Sequence, residues 1–171
     1  MVTSIHGKPT IELIPGGVVF DGRHWIGQLP ADEFRATMKA PERIECKFSN
    51  HVPWRNVLIY DSMGIYALED LDERRIVDLG IELIPECASF PTRCSFAGRL
   101  LLNGKLLTPG MKMRELPLKG DLNFVKGIGS SLKCVHDNGY VGLDLRRPKL
   151  TGGRRMREPV LVSVTHSFLK E

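Results

Sequence analysis

Residues 16–34 and 98–116 superimpose without a gap at an offset of 82, so the chain is constrained to build similar local structure twice. Val18, Val19 and Phe20 match Leu100, Leu101 and Leu102, and Asp21-Gly22 matches Asn103-Gly104. A base follows each pair, Arg23 and Lys105, and Phe34 matches Leu116. Asp-Gly and Asn-Gly between apolar runs favour a type I′ turn, because both central residues of that turn need positive φ. Each copy therefore predicts a tight hairpin followed by a short helix.

The correspondence extends further along the chain. Val57–Leu68 resembles Leu132–Leu143, with Gly64 on Gly139 and Leu68 on Leu143, and each segment reads as two strands about a turn. The alternation Leu79, Ile81, Leu83 is echoed by Val160, Val162, Val164, the period-two mark of a half-buried strand. A period near 80 is too long for a solenoid and suits a duplicated subdomain. The expected fold is α+β, with two related lobes of antiparallel β-hairpins and a short helix each, ββαβββ-like, packed into one compact unit. The first lobe spans 10–84 and the second 98–168. The connecting segment 85–97 is too short and apolar for a free tether, so the halves should pack as one integrated domain.

Local signals refine each lobe. Thr10–Ile14 makes a first strand ended by Pro15-Gly16. Pro30 opens a helix with Asp32 and Glu33 in its first turn, Phe34 and Met38 share its inward face, and Pro41 stops it. In the second copy Thr108 and Pro109 predict an N-cap and first position for a helix over 110–116. Residues 39–55, with Cys46, Phe48, His51 and Trp54, have no counterpart of equal character and read as a lobe-specific loop or a recognition element.

At 171 residues and a net charge of +4, the composition is that of an ordinary globular chain. No secretory leader and no run of 18 apolar residues is present, so the expected compartment is the cytoplasm, without membrane contact. Cys46, Cys87, Cys94 and Cys134 are then expected to stay reduced, and their spacing is not that of a zinc site. Gly127-Ile128-Gly129-Ser130-Ser131 lacks the Gly-Lys-Ser/Thr ending of a phosphate loop and reads as a connection. The five histidines form no local metal or nucleophile constellation, so neither a cofactor nor catalysis is expected.

Charge supplies the surface signal. Arg146, Arg147, Lys149, Arg154, Arg155 and Arg157 put six bases and no acid into twelve residues. Glu69, Asp70, Asp72 and Glu73 occupy the corresponding slot in the first copy. These ten residues, with Trp54 and His51, are the candidate protein-contact residues. The aromatic residues do not interleave with the arginines, so sequence-specific nucleic-acid recognition is not supported, although the loop can contact phosphate.

Leu100–Leu116, together with the Asp137-Asn138-Gly139-Tyr140 turn, resembles an uncharacterised bacterial domain associated with immunity proteins encoded beside secreted polymorphic toxins, including those delivered by type VI secretion. The resemblance covers most of residues 10–168 in two copies. It implies a non-enzymatic antitoxin that binds a cognate toxin, occludes its active site and protects the producing cell. The toxin would then act in the cytoplasm, for example as a nuclease or a nucleotide-consuming enzyme. The alternatives are a nucleic-acid-associated accessory protein that uses residues 146–157, and a small enzyme whose site is assembled only in three dimensions.

Overall fold

A computed structural model of the chain describes residues 8–49, 52–84, 92–127, 131–136, 139–149 and 153–168. Among the described residues fourteen strands and one short α-helix succeed one another: β1 (Thr10–Ile14), β2 (Gly17–Phe20), β3 (Arg23–Ile26), β4 (Leu29–Pro30), α1 (Ala31–Met38), β5 (Arg43–Ser49), β6 (Val52–Tyr60), β7 (Ile65–Asp70), β8 (Arg75–Glu82), β9 (Arg99–Leu102), β10 (Lys105–Leu107), β11 (Val125–Lys126), β12 (Ser131–His136), β13 (Gly139–Arg146) and β14 (Val160–Phe168). The fold is mixed α+β, built mainly from antiparallel sheet.

The smaller sheet runs β10-β9-β1-β2-β3. Its two outer hairpins close as the sequence predicts: φ is +45° and +82° at Asp21 and Gly22, and +51° and +71° at Asn103 and Gly104. Strand β1 pairs antiparallel with β2 and parallel with β9, and Glu12 lies opposite Val19 on one side and Leu101 on the other. The larger sheet runs β11-β12-β13-β14-β8-β7-β6-β5, every neighbouring pair antiparallel, with β4 added beside β8. At its centre Gly80 lies opposite Thr165. Three register shifts interrupt it among the described residues: one between Lys47 and Ser49, one between Leu68 and Glu69 that leaves Val77 without an opposite residue, and one between Asp144 and Leu145 that leaves Val162 so.

The core fills the space between the sheets and is continuous from Ile11, Val18 and Leu100 on one to Leu58, Leu79, Leu143 and Val164 on the other. Residues of both expected lobes share it. Helix α1 contributes Phe34, fully buried, and Met38. The Phe34 ring lies 5.4 Å from Trp25 and 5.9 Å from Tyr60, while Trp25 stacks on Phe20 at 5.2 Å. Burying a side chain of this size contributes roughly 2–3 kcal/mol. The outward side of the larger sheet carries a second, smaller apolar group of Val57, Ile59, Tyr66 and Leu68.

The helix expected over 110–116 is a correction: only Met113–Glu115 turns, and as a 3-10 helix. Gly110 takes φ +79°, which ends any helix. The backbone there is spent on β14 instead, with Gly110 N donating to Leu161 O (3.1 Å) and Leu161 N to Met111 O (2.8 Å). Of the connecting segment, residues 85–91 lie outside the described residues. Its end is held in place, since Phe96 N donates to Glu82 O (2.7 Å) and Arg93 N to Asp61 Oδ1 (2.7 Å). Asp61 is itself buried and receives both Arg43 Nε (2.6 Å) and Nη2 (3.0 Å). The Arg43 guanidinium holds the Asp61 carboxyl below the ordinary aspartate range.

Candidate interaction surface

The basic segment leaves the sheet after Arg146, which lies opposite Val160. It is a folded turn: Lys149 bridges Arg155, Met156 N donates to Pro148 O (3.0 Å), and Gly153 supplies a left-handed residue at φ +80°. Arg147, Lys149, Arg154, Arg155 and Arg157 are all exposed, and none of the five forms an ion pair with another described residue. Arg146 is different, its Nε lying 2.8 Å from Asp144 Oδ2. Five cations without ion-pair partners among the described residues concentrate positive potential between the end of β13 and the start of β14.

The acidic turn is organised otherwise. Glu69 is buried and takes two hydrogen bonds from Arg35, Nε to Oε1 (3.2 Å) and Nη2 to Oε2 (2.6 Å), plus one from Asn56 Nδ2 (3.3 Å). Asp70 is buried too, and its Oδ1 caps the turn by accepting from Asp72 N and Glu73 N, both at 3.1 Å. Glu73 is paired with Arg75. Of the four acids, Glu69 and Asp70 therefore hold the fold together. Asp72 and Glu73 are the exposed pair. His51 and the side chain of Trp54 lie outside the described residues. The structure thus gathers five of the six basic candidates on one turn, with Arg146 at the end of β13 before it, and sets Asp72 and Glu73 on another turn, with Glu69 and Asp70 at the end of β7.

The outward side of the larger sheet carries polar groups for which the linear sequence gives no motif. Register sets Tyr66, Gly80, Thr165, Gly142 and Lys133 in one row, and Glu82, Ser163, Asp144 and Ser131 in the next. Tyr66 lies flat over Gly80, where a Cβ would stand 2.1 Å from its ring, and it hydrogen bonds to Thr165. Burial pushes the Tyr66 hydroxyl up to about 12. Glu82 is 1% exposed, and its Oε2 has no hydrogen-bond partner among the described residues. Burial first, and then the nearby Asp144, push its carboxyl up to about 8, against the pull of Arg146. Asp78 is raised as well, chiefly by burial. The only sequence signal for this set is the outward phase of Asp78-Leu79-Gly80-Ile81-Glu82 and Gly142-Leu143-Asp144 once the strands are recognised.

Two of the surface hollows are lined by described residues. One, of about 360 Å³, lies beside the start of α1 between Asp32, Leu71 and Arg74. The other, of about 300 Å³, is a trough on the outward side of β12, β13 and β14, lined by Lys133, Tyr140, Gly142, Asp144 and Thr165. Among the described residues no cluster of three metal-ligating side chains occurs, and no helix is long and apolar enough to cross a membrane. No family model, no curated protein and no solved structure matches the chain.

Proposed function

We propose that the chain is a non-enzymatic protein-binding module of the immunity type, which acts in the cytoplasm and neutralises a cognate bacterial toxin by covering an acidic part of it with residues 146–157. The observation that carries the proposal is the folded turn bearing Arg147, Lys149, Arg154, Arg155 and Arg157, exposed and without ion-pair partners among the described residues. A solvated loop gains nothing from gathering five like charges, which repel one another. A partner with complementary potential removes that repulsion, accelerates encounter and discriminates against other surfaces. Arginine also offers paired donors that match carboxylates.

We further propose that the frame is a duplicated unit, in which β2-β3-α1-β5-β6-β7-β8 corresponds to β9-β10, the 3-10 turn and β11-β12-β13-β14, about the shared strand β1. Val19 and Leu101, matched at the offset of 82, both lie opposite Glu12, which supports this reading. The bulges support it as well: Leu68/Glu69 corresponds to Asp144/Leu145, and Val77 to Val162. This register moves two pairings read from sequence, Val162 passing from Ile81 to Val77 and Leu68 from Leu143 to Asp144. Leu68 faces outward with Val57 whereas Leu143 faces the main core, and a slip of one residue, Leu68 onto Asp144, matches outward with outward. The acidic turn 71–74 and the basic loop 147–159 then occupy equivalent places between equivalent strands.

The test is binding of the inactivated protein encoded by the reading frame directly upstream, measured calorimetrically with the wild-type chain and with Arg147, Lys149, Arg154, Arg155 and Arg157 all changed to Glu. A stoichiometric complex that the reversal weakens at least tenfold supports the reading. Binding instead to heparin and mixed DNA, falling steeply with salt, identifies the nucleic-acid accessory role and overturns it.

A further inference from the structure

We infer that the trough on the outward side of β12–β14 receives one aromatic side chain, indole or phenol, from that same partner. The inference rests on the reading above for the partner's identity, and on the trough alone for the chemistry. The floor is Gly142, where an added Cβ would meet only Tyr140 Cε2 at 3.8 Å and Thr165 O at 3.9 Å. The space above the floor is therefore open because this residue has no side chain. One wall is the Tyr140 ring with Lys133 Nζ 3.8 Å from its centroid, so a cation and an aromatic face already lie together there. The other walls are Thr165 and Asp144.

The surroundings are apolar and open. Val125 lies opposite Lys133 and Val135 opposite Tyr140, and both valines are 64% exposed. A volume of about 300 Å³ is at the lower limit of small-ligand pockets and suits one large side chain better than a whole cofactor. Interface anchors are predominantly Trp, Tyr and Arg, seated in pockets ringed by weaker contacts. Lys133 repels an arginine here, whereas an aromatic ring can meet the Lys133 ammonium with its face and the Tyr140 ring at its edge. Asp144 is shared between the trough and the Arg146 ion pair at the root of the basic loop, so the two surfaces are continuous. A partner reaching the loop with acidic residues would bring its neighbouring surface over the trough.

The experiment is titration of the full ¹⁵N-labelled chain with N-acetyl-tryptophanamide, with N-acetyl-leucinamide as the control, followed by amide shifts. The expected result is a saturable shift at Lys133, Gly142 and Thr165 with a Kd on the order of 1 mM for the tryptophan amide, and none for the leucine amide. Gly142→Leu should abolish it while leaving shifts elsewhere unchanged. Lys133→Ala, which leaves the sheet intact, should weaken it at least threefold and decides the matter if the leucine variant does not fold. Absence of saturation, equal response to both amides, or indifference to these substitutions overturns the inference. The two proposals fail separately: indole binding with toxin binding insensitive to loop reversal removes the partner reading alone, and the converse removes the trough alone.

Discussion

Glu82 places a carboxyl group with almost no exposure beside Asp144, its Oε2 without a hydrogen-bond partner among the described residues, and its pKa stands at about 8 against an ordinary 4.5. The sign of the consequence follows from proton binding. Between those two values the folded chain holds a proton that the unfolded chain has released, so the contribution of Glu82 to stability is greatest below pH 4.5, falls as pH rises and levels off above about pH 8. Over pH 5 to 7 the loss from this group is roughly 3 kcal/mol. Glu82→Gln keeps the shape and removes the titration. Asp78, also raised by burial, remains in both proteins, so the difference between their stability curves isolates Glu82. Urea unfolding at half-unit steps from pH 4.5 to 9 should show the wild type losing those roughly 3 kcal/mol relative to the glutamine variant between pH 5 and 7. Any fixed difference made by the amide group is independent of pH and does not affect the comparison. Parallel curves would refute the reasoning, because they would mean that Glu82 is hydrated or paired in the folded chain.

Asp61→Asn should destabilise the chain by roughly 2–3 kcal/mol at pH 7, since it weakens the two Arg43 bonds and the Arg93 N–H bond at once, and denaturant midpoints check this. The Asp61 pKa is lowered, so its contribution is present above the ordinary aspartate value and lost as pH falls through the lower folded value; the asparagine variant should lack that acid-side loss. Gly22→Ala and Gly104→Ala should each cost about 1 kcal/mol, because φ is +82° and +71° there while a Cβ meets nothing within 4 Å at either position, and thermal unfolding of the two variants should agree. A large difference between them would mean that the two hairpin turns are not equivalent.

The parts of the fold that local chemistry determines were legible in the sequence. Asp21-Gly22 and Asn103-Gly104 demand their turns whatever surrounds them, and Phe34 and Met38 set the inward stripe of α1. The helix expected over 110–116 was misread because its N-cap signal, Thr108-Pro109, is local while the competing bonds to Leu161 come from a strand 50 residues away. The facing of Leu68, outward, and of Leu143, into the main core, was not legible for a related reason: equal spacing and similar residue types do not specify which side of the sheet is covered. Glu69 and Asp70 looked like surface charge, and only the approach of Arg35 and the closure of the turn show that they are internal. Glu82 stood out by neither motif nor spacing, since burial is decided by the packing of the whole chain. The basic loop was visible as composition, and its ordering through Lys149 and Arg155 was not.

The most direct test of the binding role is the affinity of the chain for the inactivated upstream-encoded protein when the five exposed cations of residues 147–157 are reversed to glutamate, with circular dichroism to verify the fold. The account predicts a tight one-to-one complex for the wild type, weakened at least tenfold by the reversal and weakened by added salt. Undiminished affinity in the reversed variant would contradict it.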